Sequence, residues 1–206
     1  MFLIKPPYLY RKLLSRAAFN MGDDKVHLTF DDGPDPDVTP QVLNILKQEN
    51  VTATFFVLGE NAEKHPRIIE IMKSEGHQVA NHGFAHLDGW KIDKNVFIEN
   101  VERGANVSGS HAFRPPHGRI WPGLMEIIPD HRVIMWDVLS GDFDSALSVD
   151  QVINNVLNNV QRGSIIVMHD SQKAQQNVIG SLKQIIEGVQ MRGLRFGSSH
   201  DLKGVD

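Results

Sequence analysis

Short β-branched or aromatic runs alternate with longer amphipathic runs along nearly the whole chain, and this alternation restricts the fold more than any other feature. The runs KVHLTF (25–30), TATFFV (52–57), HQVAN (77–81), AFR (112–114), RVIMWDV (132–138), SIIVMH (164–169) and LRF (194–196) read as strands. Between them, residues 39–49, the segment opened by Pro66 and closed by Gly76, residues 96–107, a stretch after Pro122, a run capped by Ser148 and continuing through Val160, and residues 178–191 read as helices. Strands that alternate with helices pair in parallel through crossover connections. About seven such steps are too many for a small open sheet. The expected fold is therefore α/β, a distorted (β/α) barrel of about seven parallel strands. The 206 residues suit one such domain. It is expected to span 23–206, with 1–22 as a basic N-terminal extension.

The strand-like runs end in chemistry. VHLTF runs into Asp31 and Asp32, HQVAN into His82, AF into Arg114, RVIMWDVLSG into Asp142, and IIVM into His169 and Asp170. In a parallel barrel the C-terminal strand ends open on one face, so these residues converge there. His82 and His86 are four apart, and one helical turn would put both imidazoles on one side. Two histidines and a carboxylate make an open divalent-metal site. One aspartate of the pair suffices as the ligand. The other is then free as a general base toward water held by the ion. A zincin-type peptidase is disfavoured, because Gly83 stands where that motif carries its glutamate.

Composition removes other classes. A net charge of −4 and a pI of about 6.2 leave no nucleic-acid footprint. The absence of cysteine excludes disulfides and thiolate metal sites. No apolar run reaches membrane-spanning length. The N-terminal MFLIKPPYLYRKLLSRAAFN carries Lys5, Arg11, Lys12 and Arg16 and makes a poor signal peptide. It is expected to form a short helix closing one end of the domain, the alternative being a segment on an anionic membrane surface. With no export signal read, the expected location is the cytoplasm or the inner membrane surface.

TFDDGP, HGFAH, RPPHG, the Asp142 segment and IVMHD, in that order from Thr29 to Asp170, resemble the five motifs of the polysaccharide deacetylases, the NodB-homology or carbohydrate esterase family 4 group. The resemblance implies a distorted (β/α) barrel and hydrolysis of the N-acetyl amide of an N-acetylated sugar or glycan. It implies one divalent ion, zinc in the first place, with cobalt, nickel or manganese as alternatives. Asp31 matches the general base, and Asp32, His82 and His86 match the metal ligands. Arg114 matches the residue positioning the base. The backbone N–H near His117 matches an oxyanion donor, and Val167 lines the acetyl pocket. Asp142 tunes His169, which matches the general acid. The sequence departs from the family pattern at Gly83, His117, Leu139 and Phe143, which shifts attention to the substrate groove. Three other readings remain open: a same-fold hydrolase of a non-sugar amide, a non-catalytic glycan-binding module, and a non-haem iron oxygenase. The last two have no use for both Asp31 and His169. Among the tryptophans, Trp121 is the candidate for stacking on a sugar. His27, His65, His77, His111, His131 and His200 are assigned core or surface roles.

Overall fold

The structure is a computed structural model and describes residues 3–119, 121 and 123–197. The run at 25–31 forms β1 (Lys25–Asp31), buried at every position after the first. A strand buried on both faces reads as continuous apolar sequence and belongs in the middle of a parallel sheet. β1 lies there, between β2 (Thr54–Val57) and β7 (Ile165–His169), parallel to both. Beyond β2 follow β3 (Gln78–Asn81), β4 (Ala112–Phe113) and β5 (Arg132–Val133), and beyond β7 lies β6 (Val138–Leu139). β8 (Arg195–Phe196) adds to the start of β1. The order β5-β4-β3-β2-β1-β7-β6 curls into an incomplete barrel of seven parallel strands, as the alternation predicts.

Helices cover the outer face. They are α1 (Tyr8–Leu13), α2 (Thr39–Gln48), α3 (Gly59–Lys64), α4 (Pro66–Ser74), α5 (Lys94–Ser108), α6 (Leu124–Ile127), α7 (Val149–Leu157) and α8 (Gln175–Met191). Their ends follow from local chemistry. Pro66 stands at the start of α4, and Ser148 closes a capping box with Gln151 at the start of α7. The main core packs Phe30, Phe55, Leu46, Val152 and Leu182. A second cluster joins Phe97, Phe113 and Leu124 to Leu14 and Phe19 of the N-terminal segment.

The structure revises several expected elements. The run 132–138 is not one strand: β5 ends at Val133 and β6 begins at Val138. The carbonyls of Ile134 and Met135 accept from the Arg114 guanidinium, and the Asp137 carboxylate accepts from the N–H of Ile165 and the hydroxyl of Ser164. Side chains, together with the backbone of Ala18, thus take part of the hydrogen bonding a continuous ladder would make. α3 was not read from sequence, and α7 stops at Leu157 rather than Val160. Pro122 lies outside the described residues, and α6 follows it as a single turn.

β5 and β6 are the edges of the incomplete barrel, and residues 3–22 lie along both. Ala18 donates to Val133 and accepts from Met135, while the carbonyl of Ile4 accepts from the N–H of Leu139. Leu14, Ala17 and Phe19 are buried. α1 itself fully buries none of its six residues, and it meets the domain through Tyr10, which is part-buried against the second cluster.

Candidate active site

Two adjacent residues of a strand point to opposite faces. Asp31 and Asp32 reach one cavity because the strand ends between them. Asp31 is the last residue of β1, and Asp32 adopts a left-handed backbone with φ 78°. Asp tolerates this region better than most residues, and strain of this kind gathers at working sites. Behind the turn, Asp170 accepts from the Gly33 N–H (3.1 Å) and the Thr39 hydroxyl (2.6 Å). A Cβ at Gly33 would overlap the Asp170 carboxylate, so only glycine allows this approach. Asn61 completes the support by donating to the Asp32 carbonyl. Burial, with the negative charge of Asp32 added, lifts Asp170 to about 7.

Asp31 is 4% exposed and pairs with Arg114, which is fully buried. Arg114 donates from Nη1 to Asp31 Oδ1 (2.6 Å) and Thr29 Oγ1 (2.8 Å), from Nε to the Ile134 carbonyl and from Nη2 to the Met135 carbonyl. Its guanidinium also lies 4.0 Å from the centre of the Phe56 ring. Burial disfavours its charge, and the Asp31 carboxylate offsets that.

His82 and His86 converge, but not through a helical turn. Residues 82–86 form a loop in which Gly83 has φ 87°. Asn81 accepts from the Gly83 N–H, and Asn100 brackets Ala85 by accepting from its N–H and donating to its carbonyl. A side chain at Gly83 would collide with the Asn100 amide, which accounts for glycine at this point. The imidazole centres lie 5.3 Å apart. His82 Nδ1 contacts the Arg114 carbonyl at 2.8 Å. A carbonyl only accepts, so Nδ1 carries a proton and Nε2 is the nitrogen turned to the site. Burial, aided by the neighbouring His82, lowers His86 to about 4 and keeps it neutral.

Asp32, His82 and His86 bring one ligand atom each within 4.8 Å of one another. Asp32 Oδ1 is buried without a hydrogen-bond partner and lies 3.5 and 3.3 Å from the Nε2 atoms of His82 and His86. Burial works against its charge, yet contact with His82 and the positive charge of His169 hold the carboxylate well below its usual range. An unpaired buried carboxylate oxygen facing two imidazole nitrogens fits a divalent cation.

Across the cavity, Asp142 accepts from the backbone N–H of His169 and, at 2.7 Å, meets its Nδ1. Burial pulls the His169 imidazolium down, but Asp142, with Asp32 and Asp31 behind it, raises it to about 9. The cavity measures about 660 Å³ and holds Asp31, Asp32, His82, His86, His117, Val167 and His169. Arg114 and Asp142 stand fully buried behind its wall.

Several features of the cavity were not read from sequence. Trp136, rather than Trp121, lines it. Trp121 packs edge-on against Phe97. Arg119 and Lys173 also reach it, Arg119 paired with Asp88 and Lys173 over Phe143. Asp170 is among the converging strand-end residues expected from sequence, but its place behind the turn at Gly33 was not. His27, His77, His111 and His131 have contacts outside the cavity, and His200 lies outside the described residues. Asp23 holds His27, Nδ1 of His77 accepts from Ala53, and His111 meets His131 ring to ring.

The sequence profile of the polysaccharide deacetylases matches residues 19–130. A peptidoglycan-N-acetylglucosamine deacetylase of Bacillus cereus is 37% identical over 181 residues, which cover 84% of this chain and 66% of the relative. A chitooligosaccharide deacetylase of Sinorhizobium fredii is 35% identical over 159 residues, covering 72% of this chain and 73% of the relative. A crystal structure of a peptidoglycan N-acetylglucosamine deacetylase with a bound N-hydroxybenzamide superposes with a TM-score of 0.82 at 34% identity, over 91% of this chain and 92% of that one. The motifs, the curled parallel sheet and these likenesses agree: the chain belongs to the polysaccharide deacetylase family.

Proposed function

We propose that the chain hydrolyses the N-acetyl amide of an N-acetylglucosamine-containing glycan, releasing acetate and a free amine. The observation that carries this reading is the convergence on one cavity of three parts: Asp31 backed by Arg114, the Asp32–His82–His86 cluster, and His169 backed by Asp142. The relatives that act on N-acetylglucosamine polymers support the substrate class. Asp32, His82 and His86 would hold one divalent ion, zinc by preference. Such an ion supplies Lewis acidity, which acidifies a water and polarises an acetyl carbonyl.

The chain's own groups do the rest. Arg114 engages Asp31 Oδ1, which orients the carboxylate and leaves Oδ2 to take a proton from the attacking water. The backbone N–H at His117 donates to the carbonyl oxygen as it gains charge. Asp142 holds His169 by Nδ1, so Nε2 is the nitrogen that delivers a proton to the departing amine. An amine leaves poorly without that proton, and a histidine raised to about 9 carries it through neutral pH. Val167, Leu139, Phe143 and Trp136 give the cavity an apolar wall suited to an acetyl methyl.

The test is acetate release from N-acetylglucosamine oligomers and from peptidoglycan strands by metal-loaded protein. Release that is lost on chelation and lost in Asp31→Asn is the expected result. Folded, metal-bearing protein that releases no acetate from any N-acetylated glycan would overturn the reading in favour of a non-sugar amide.

A further inference from the structure

The N-terminal face carries a feature that neither the cavity nor the core uses. Tyr8, Leu9 and Leu13 of α1 are 75%, 76% and 70% exposed, and Leu3 is 62% exposed. These are four of the eight large apolar side chains exposed among the described residues, gathered within eleven positions. Scattered exposed apolar residues need no explanation, but a gathered set marks a contact surface. The inward side chains of the same segment are already engaged. Leu14 and Phe19 are buried, and Tyr10 packs edge-on to Phe19 and donates to the Gly118 carbonyl. The outward leucines are therefore surplus to folding.

Charge identifies what this face meets. Residues 1–22 hold Lys5, Arg11, Lys12 and Arg16 and no acid, a net +4. The whole chain is −4, so the remaining 184 residues sum to −8. Arg11, Lys12 and Arg16 line a surface groove of about 790 Å³ together with Tyr8, Ser15 and Arg132. Nη1 of Arg132 is buried without a hydrogen-bond partner. Of the four groove cations, Arg16 alone has an acidic partner among the described residues, Glu126 at 2.9 Å.

We propose that this face docks on an anionic lipid bilayer, with Leu3, Tyr8, Leu9 and Leu13 entering the interface and the cations meeting lipid phosphates. A free anion would have no use for the leucines. A second copy in a two-fold contact would bring the cations against themselves. A bilayer satisfies both halves, because interfacial binding sums apolar burial and attraction to anionic headgroups. The acidic remainder of the chain is repelled by the same surface, which restricts contact to this face. Tyr10 and Ile4 are bonded to Gly118 and Leu139, two residues of the catalytic cavity's lining, so the docking face and that lining are directly joined.

Co-sedimentation of the full chain with vesicles tests the proposal independently of any activity. One set of vesicles is phosphatidylcholine alone, and the other includes phosphatidylglycerol. Binding to the anionic vesicles only, reversed by salt, is expected. Arg11→Gln and Lys12→Gln should each weaken it roughly fivefold. The pair Leu9→Ser and Leu13→Ser should weaken it at unchanged charge, with thermal stability intact because both sites are exposed. No binding to either vesicle, equal binding to both, or binding indifferent to the leucines would overturn it. Self-association relieved by the leucine pair, or saturation by inorganic phosphate without vesicle binding, would overturn it as well, in favour of a second copy or a free anion.

Discussion

On one side of the cavity, Arg114 makes four hydrogen bonds from a fully buried guanidinium, and the turn after Asp31 is fixed by Asp170, Thr39 and Asn61. On the other, Leu139, Phe143 and Trp136 present mainly apolar surface, and Lys173 reaches in from an exposed position. The difference is one of tolerance. A buried charge needs all its partners, and removing one leaves another unpaired in a poor solvent for ions. Apolar surface and a solvated ammonium can be exchanged at small cost. The first wall is therefore the one on which the proposed reaction depends, and the second is where substrate choice would be free to vary. Two of the four departures from the family pattern fit this division, whereas Gly83 and His117 lie beside the proposed ligands. Leu139 and Phe143 lie on the tolerant wall, while every proposed ligand and proton carrier is retained.

The largest effect should come from breaking the ordered wall at its centre. Arg114→Met strands Asp31 as an unpaired buried carboxylate and should cost about 3–5 kcal/mol in chemical denaturation, with activity lost. His169→Gln should lower turnover by about a hundredfold to ten-thousandfold with folding intact, since it removes the proposed proton donor. The Asp142 pair sharpens this through pH. His169 is raised to about 9, so its acid form persists through neutrality and activity should fall as pH rises past that value. Asp142→Asn removes a negative charge that favours the imidazolium. The alkaline limb should then move to lower pH, and an unmoved limb would disconnect the pair from proton transfer. Gly33→Ala forces a methyl into the Asp170 carboxylate and should cost about 1–3 kcal/mol by thermal unfolding. The smallest effect belongs to the other wall. Lys173→Gln should leave stability within about 0.5 kcal/mol and alter KM rather than kcat. A large loss of kcat there would break the comparison.

Much of this was legible because strand periodicity and strand-end chemistry are local. VHLTF announces both β1 and the carboxylates that follow it, and the parallel alternation brings His82, Arg114, Asp142 and His169 to the same end of the sheet. What was not legible depends on partners distant in sequence. The strand read over 132–138 divides because Arg114, Ala18 and Ile165 engage its backbone and the Asp137 carboxylate, and these partners lie outside those seven residues. The approach of His82 and His86 depends on Asn81 and Asn100 shaping a loop, whereas spacing alone pointed to a helical turn. The N-terminal segment read as an appendage because its bonds go to β5 and β6 strand edges more than a hundred positions away.

Two adjacent carboxylates are proposed to divide the work, Asp32 holding an ion and Asp31 taking a proton. Metal content and acetate release measured side by side for Asp31→Asn and Asp32→Asn test it most directly. The division predicts that Asp31→Asn retains stoichiometric metal while losing turnover, and that Asp32→Asn loses both. Metal retained in Asp32→Asn, or lost equally from the two variants, would contradict it.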